Sequence, residues 1–285
     1  MTIFLIGCGD ESEDKKISDE KNSNTEKISE VVKIPPNDVI VADDFSNIQL
    51  DSADKPVFDK YTIWERQESG LPMELPPFEE YSDGKIAYLT FDDGPDDKNT
   101  PMILDILKNY GIHATFYVCG NMVEAYPDVL KRIYAEGHAI GNHSYNHVYK
   151  ELYPSTDNFL KQINQTDEII KSVIGVRPLT IRTPGGRAGM WTADYEPLMT
   201  ACGYVEHDWN VSVEDATSKK PSPQEMIKFV DEQTNKSFRK DAAIILMHSN
   251  KGKENSAAAL PGIIEVLVNK GYKFGVVTPM TPQPW

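Results

Sequence analysis

Ile86-Ala87-Tyr88-Leu89-Thr90-Phe91-Asp92-Asp93-Gly94-Pro95 is a short apolar run, β-branched and aromatic-rich, that ends in two acids and a turn. Such a run reads as a buried strand, and Asp93-Gly94-Pro95 supplies the residues that stop it. Carboxylates at a strand's C-terminal end stand at the mouth of an α/β fold, where active sites usually lie. The pair therefore predicts one acid that binds a metal ion and a neighbour, aimed elsewhere, that works as a base. Alone, Asp-Asp-Gly-Pro is an ordinary turn, because Asp bonds local backbone while Gly and Pro set the turn dihedrals.

Downstream, His143-Ser144-Tyr145-Asn146-His147 supplies two imidazoles at i and i+4. If the backbone makes a helical turn there, both side chains share one face and both can reach one ion. Zn²⁺ takes imidazole and carboxylate ligands at about 2.0–2.2 Å, and its catalytic sites use three protein ligands and leave a position for water. Two histidines therefore ask for one carboxylate. Surface helices carry histidines at this spacing by chance, so the weight comes from their pairing with acids at a strand end.

Other polar groups fall at strand ends. Arg182-Thr183-Pro184-Gly185-Gly186 follows the apolar Leu179-Thr180-Ile181, and a guanidinium there can pair with a carboxylate and hold it ionised. Asp208-Trp209 ends the strand-like Tyr204 to His207, and His248-Ser249 ends the apolar run Ala242 to Met247. Taken singly, Arg182 is a surface ion-pair partner, Trp209 a core residue and His248 a satisfied edge histidine. Their common placement favours a site.

With these residues the chain resembles the polysaccharide deacetylases of the NodB homology type, carbohydrate esterase family 4. The family's five motifs occur in order: T-F-D-D-G-P at Thr90 to Pro95, H-S-x-x-H at His143 to His147, R-x-P at Arg182 to Pro184, D-W at Asp208-Trp209 and L-x-H at Leu246 to His248. The first two are highly specific, the last three weak alone, and the likeness spans roughly residues 83 to 280. It implies that Asp93, His143 and His147 bind the metal and that Asp92 is the catalytic base, oriented and ionised by Arg182. It further implies His248 as general acid, tuned by Asp208. Trp209 and Leu246 would line the pocket for the acetyl methyl, and the Gly185 amide would serve the oxyanion. Such a metal acidifies its water toward a pKa of about 7, a carboxylate then takes the proton, and a histidine beside an aspartate protonates the leaving amine. Two departures stand out. The position after the motif's proline, often aromatic in the family, is Gly185, which keeps a backbone oxyanion role and removes a sugar-stacking one. An acid often found upstream of Asp-Trp is replaced by Val205.

The resemblance implies a divalent metal, Zn²⁺ by default with Co²⁺, Ni²⁺ and Mn²⁺ as alternatives, since affinity follows the divalent series and cellular supply decides. The expected reaction removes N-acetyl groups from a cell-surface polysaccharide, with N-acetylglucosamine units of peptidoglycan the favoured substrate. A chitooligosaccharide deacetylase and an acetyl xylan esterase are rivals within the class. A catalytically silent glycan-binding surface protein is the rival outside it, and retention of base and acid speaks against that.

At 285 residues and 40% hydrophobic, the chain has material for one sizeable core plus an appendage. Residues 9–55 are dominated by Asp, Glu, Lys, Ser and Asn, a composition that cannot bury enough apolar surface to offset ordering entropy, and are expected to form a disordered tether. Residues 1–8 end in Leu5-Ile6-Gly7-Cys8, which looks like a lipoprotein lipobox. Only Met1 to Ile6 precede Gly7 and none is basic, short of the basic segment and the apolar stretch of about 7–15 residues that a secretory signal needs. A signal that begins further upstream is preferred over a soluble intracellular form, giving an extracellular enzyme tethered through Cys8 to the outer face of a bacterial cytoplasmic membrane. Residues 56–82 are expected to pack as an extension on a catalytic domain at 83–285. Cys119 and Cys202 are expected as unpaired buried thiols. The net charge of −15 argues against nucleic acid and against adhesion to anionic lipid. A monomer is expected.

Helical patterns at Thr100–Asn109, Pro127–Ala135, Thr156–Val173, Ala193–Cys202, Pro223–Gln233 and Ala257–Asn269 alternate with strand patterns at Ile112–Val118 and Tyr272–Val277 and with the motif-bearing strands. This alternation predicts a mainly parallel sheet with helices outside. The resemblance makes it α/β, a distorted, incomplete (β/α) barrel of the NodB deacetylase type.

Overall fold

A computed structural model describes residues 39–284 except 49, 51, 53, 82, 83, 238 and 239. The expected lipobox and most of the expected tether lie outside the described residues. β1 (Ile40–Ala42) and β2 (Val57–Asp59) lie in a small sheet, and β3 (Ile86–Asp92), β4 (Thr115–Val118) and β5 (Ala139–Asn142) begin a large one. β6 (Arg177–Pro178) returns to the small sheet. β7 (Thr180–Ile181), β8 (Val205–Glu206), β9 (Val211–Ser212), β10 (Ala242–His248) and β11 (Lys273–Gly275) complete the large one.

The large sheet runs β8-β7-β5-β4-β3-β10-β9, with β11 also on β3, and its strand pairs are parallel. Helices form the crossovers, as the alternating pattern requires. The helix Asn99–Tyr110 stops at Gly111, whose φ of 65° only glycine adopts freely. The helix Thr156–Ile174 starts where the Ser155 side chain accepts from Asn158 N. β4 and β11 share one edge of β3: β4 pairs with Thr90–Asp92 and β11 with Ile86–Tyr88. That sharing shortens the two expected strands, to Thr115–Val118 and Lys273–Gly275, and distorts the sheet.

The sheet curls without closing. Its end strands β8 and β9 are consecutive in the chain, joined by His207, Asp208, Trp209 and Asn210. His207 N donates to Ile181 O on one edge at 3.1 Å, and Asn210 N to Ile244 O on the other at 3.2 Å. Five peptide steps span at most about 17 Å, so the two edges face one another across this strap.

Side chains alternate across each strand. Ala87, Leu89 and Phe91 of β3 and Ala243, Ile245 and Met247 of β10 join the main core under the helices. Ile86 and Tyr88 pack with Ala242 and Ile244 in a separate cluster inside the curl. Continuing this inner row gives Thr90 and Asp92 on one strand and Leu246 and His248 on the other, which is why the motifs read T-x-D and L-x-H. The β3–β10 register makes Asp92 and His248 partners.

β1 runs parallel to β2, and β2 antiparallel to β6 through Phe58–Pro178 and Asp59–Arg177. Asp59 is fully buried, accepting from Arg66 Nε at 2.6 Å and from Arg177 Nη2 at 2.8 Å. Here one sequence expectation needs correction: the tether does not extend to residue 55. Ile40, Ala42, Phe45, Ile48 and Leu50 pack with Val57, Leu75 and Leu179, and Phe45 lies 3.4 Å under the Arg66 guanidinium. This island of apolar residues in a polar stretch buries enough surface to be part of the fold.

Candidate active site

Because the large sheet is parallel, the C-terminal ends of β3, β5, β7, β8 and β10 converge on one face. Asp93 follows β3 with a φ of 69°, a left-handed conformation that turns its carboxylate away from that of Asp92. His143 follows β5. The helical turn expected over His143–His147 does not form. Instead Ser144 and His147 take left-handed φ values of 70° and 58°, and this loop brings the two rings to 5.0 Å between centroids.

Asp93 Oδ1 lies 3.5 Å from His143 Nε2 and 3.6 Å from His147 Nε2. Both distances are long for hydrogen bonds, and this buried oxygen has no hydrogen-bond partner. Ligands about 2.1 Å from a tetrahedral ion stand about 3.4 Å from one another. The orphaned carboxylate oxygen stands at about that spacing from both imidazole nitrogens, and the three donor atoms all lie within 4.8 Å of one another, which fits a divalent ion. Asp93 Oδ2 accepts from Asn250 Nδ2 at 3.3 Å. His143 Nδ1 donates to Arg182 O at 2.8 Å, leaving Nε2 unprotonated toward the cluster. Burial pushes His143 down to about 3 against the opposing charge of Asp93, so the ring is neutral, as a ligand must be.

Asp92 is buried and accepts from Arg182 Nη1 at 2.9 Å. The same nitrogen donates to Thr90 Oγ1 at 2.7 Å, Nε donates to His207 O at 2.9 Å, and Nη2 to Asp208 O at 3.2 Å. The guanidinium is fully buried over the Tyr117 ring, 4.1 Å from its centroid. Burial raises the Asp92 pKa above the usual carboxylate range, with the Arg182 charge pulling the other way. A carboxylate so poised is a stronger base than one in water.

His248 meets a different partner from the one expected. Its Nδ1 donates to Asp215 Oδ1 at 2.7 Å and its backbone N to Asp215 Oδ2 at 2.9 Å. Asp208 instead accepts from Arg187 N at 2.9 Å, so it does not tune His248. The reason is strand order. β9 flanks β10, and Val213 N on Leu246 O carries the chain onward to set Asp215 beneath the histidine, whereas Asp208 lies in the strap beyond Arg182. Ser256 Oγ also donates to Asp215, at 2.6 Å. Burial lowers the His248 pKa, but the Asp215 hydrogen bond and charge outweigh it, and the net shift is upward.

Leu246 is buried one step inside His248, and Trp209 packs against the inner cluster of Ile86, Tyr88 and Ile244. Gly185 and Gly186 have φ values of 82° and 81°. A Cβ on Gly186 would come within 2.8 Å of the Trp209 ring, and one on Gly185 would collide with the Tyr149 hydroxyl. The Gly185 N–H has no partner among the described residues. Glu206 accepts from Thr183 N at 3.3 Å, and burial beside Asp208 pushes it up to about 8. It supplies an acid next to Asp208 where Val205 has none.

Sequence reasoning missed Asp215, Glu206, Asn250 and Tyr149. Asp215 carried one readable signal, an acid just past Val211-Ser212-Val213. Nothing in the spacing tied it to His248. Cys119 and Cys202 are free and buried.

The profile of the polysaccharide deacetylase family matches residues 79–207. A peptidoglycan-N-acetylglucosamine deacetylase of Bacillus cereus is 32% identical over 190 residues, which are 67% of this chain and 68% of that protein. A peptidoglycan-N-acetylmuramic acid deacetylase of Bacillus subtilis is 36% identical over 194 residues, 68% of this chain and 38% of that one. The solved catalytic domain of a peptidoglycan N-acetylglucosamine deacetylase from Eubacterium rectale superposes with a TM-score of 0.65 at 32% identity, over 73% of this chain and 95% of that chain.

Proposed function

The chain belongs to the polysaccharide deacetylase family, and from that premise we propose that it removes N-acetyl groups from N-acetylglucosamine units of peptidoglycan, using Asp93, His143 and His147 to hold a divalent metal, Zn²⁺ by default. The observation that carries the reading is the orphaned Asp93 Oδ1 between two imidazole nitrogens, with a buried carboxylate and a charge-assisted histidine on either side. A divalent ion there supplies Lewis acidity, polarising a carbonyl and acidifying a water.

The chain's own residues do the rest. Asp92, held by Arg182, takes a proton from the attacking water. The Gly185 N–H donates to the developing oxyanion. His248, charged through Asp215, gives its proton to the departing amine, without which an amide nitrogen leaves poorly. Leu246 and Trp209 offer an apolar recess for the acetyl methyl. The names of the relatives support the substrate, and they divide between N-acetylglucosamine and N-acetylmuramic acid. Peptidoglycan lies outside the cytoplasmic membrane, which supports an extracellular site of action. Lipid attachment at Cys8 would keep it beside the wall.

Purified metal-loaded protein incubated with isolated peptidoglycan, N-acetylglucosamine oligomers and acetylated xylan tests the reading. Mass spectra of the released muropeptides should show free amines on glucosamine. Amines on muramic acid alone, or activity on xylan alone, would overturn the substrate. Asp92→Ala should lower turnover about 10²–10⁴-fold with metal retained, and His143→Ala should lose both. Full turnover by Asp92→Ala would refute the mechanism.

A further inference from the structure

Tyr149 opens the short helix Tyr149–Leu152, just past the ligand loop. It keeps 40% of its surface exposed, and its ring centroid lies 5.4 Å from that of His147. Four residues on, Tyr153 spends its hydroxyl on Pro184 O at 2.6 Å, pinning the turn that carries Gly185. The Tyr149 hydroxyl has no hydrogen-bond partner among the described residues. It stands where a Cβ of Gly185 would be, with its Cζ 3.0 Å from that point. An exposed phenol with an unspent hydroxyl thus bridges the gap between a candidate metal ligand and the free Gly185 N–H, and a scissile acetamide carbonyl must sit between those two groups.

Tyrosine in such a place offers an apolar face and a polar tip at low conformational cost. A pyranose has the complementary surface, an axial C–H face ringed by hydroxyls. We propose that Tyr149 contacts the substrate and determines specificity: its ring packs against the pyranose whose acetyl group is removed, and its hydroxyl donates to that sugar. The side chain comes from the ligand loop and leans over a glycine that must stay a glycine to admit it. The missing groove aromatic at position 185 is thereby supplied from another element.

The inference rests on the glycan-deacetylase reading, and its test separates the two. Zn²⁺-loaded wild type, Tyr149→Phe and Tyr149→Ala are compared on an N-acetylglucosamine pentamer and on 4-nitrophenyl acetate, a probe without a sugar. Tyr149→Ala should raise KM for the pentamer about tenfold with kcat within about twofold, a loss of uniform binding, while activity on the aryl acetate and Zn²⁺ affinity are unchanged. Tyr149→Phe should fall between. An unchanged pentamer KM in Tyr149→Ala overturns the assignment, as do equal losses on both substrates or weakened Zn²⁺ binding, which would make the ring a support of the ligand loop. Calorimetric titration of the pentamer gives the independent arm. Pentamer that binds wild type while both it and isolated peptidoglycan are never deacetylated sinks the glycan-deacetylase reading, whereas weaker pentamer binding by Tyr149→Ala upholds the contact. Equal binding by the two proteins overturns it.

Discussion

A histidine that protonates a departing amine must hold its proton at the working pH and release it on demand. In the proposed mechanism His248 would meet that need through Asp215, whose hydrogen bond and charge outweigh burial and raise the imidazole pKa. The sign follows directly: a raised pKa keeps the acid charged to higher pH, so loss of activity on the alkaline side is deferred. Asp215→Asn removes the charge and should move the alkaline limb of kcat/KM to lower pH, with a rate at pH 7 about tenfold lower. A pH–rate profile that keeps its alkaline limb would exclude Asp215 as the tuning group. Asp92, Asp93, His143, His147, Arg182 and His248 were all legible as residues of the candidate site, because each belongs to a motif beside a strand-like run. The partner of His248 was not, since it depends on which strand lies next to β10 and not on any spacing along the chain.

β3 and β10 could be read as buried strands from their short continuous apolar runs, and the helices from their periodic patterns, because those signals are local. The ligand loop could not. Spacing of i and i+4 is the signature of a helix, yet two left-handed residues bring the same pair of rings together without one. β1 and β2 were missed for another reason: strands of three residues are too short to show a period, and only tertiary partners fix them. Their anchor is Asp59, fully buried between Arg66 and Arg177. Removing one member of such a group leaves buried charge uncompensated. Asp59→Ala should therefore cost about 3–5 kcal/mol in urea unfolding. A loss below about 1 kcal/mol would show that the extension sits on the barrel without being tied to it.

On the scale of the whole molecule, the charge of −15 argues against binding to polyanions and to anionic lipid. No helix among the described residues is long and apolar enough to cross a membrane. If Cys8 carries the lipid, Cys8→Ala in the native cell should move the protein from the membrane fraction to the medium, with activity per molecule unchanged. Membrane retention in that variant would exclude the cysteine as anchor. The parallel sheet with helices outside is recognisable from alternating strand and helix patterns and the incomplete barrel only from the family resemblance, whereas its unclosed seam comes from the three-dimensional twist of the sheet, to which no residue pattern corresponds. That seam acts as a caliper. Non-covalent packing can loosen, but the five peptide links from Glu206 to Val211 cannot stretch, so the jaw between the edges is gauged by backbone length. The carbonyls that His207 and Asp208 turn toward Arg182 ride on the same bar, which fixes the aperture and the posture of the guanidinium behind Asp92 with a single piece of chain.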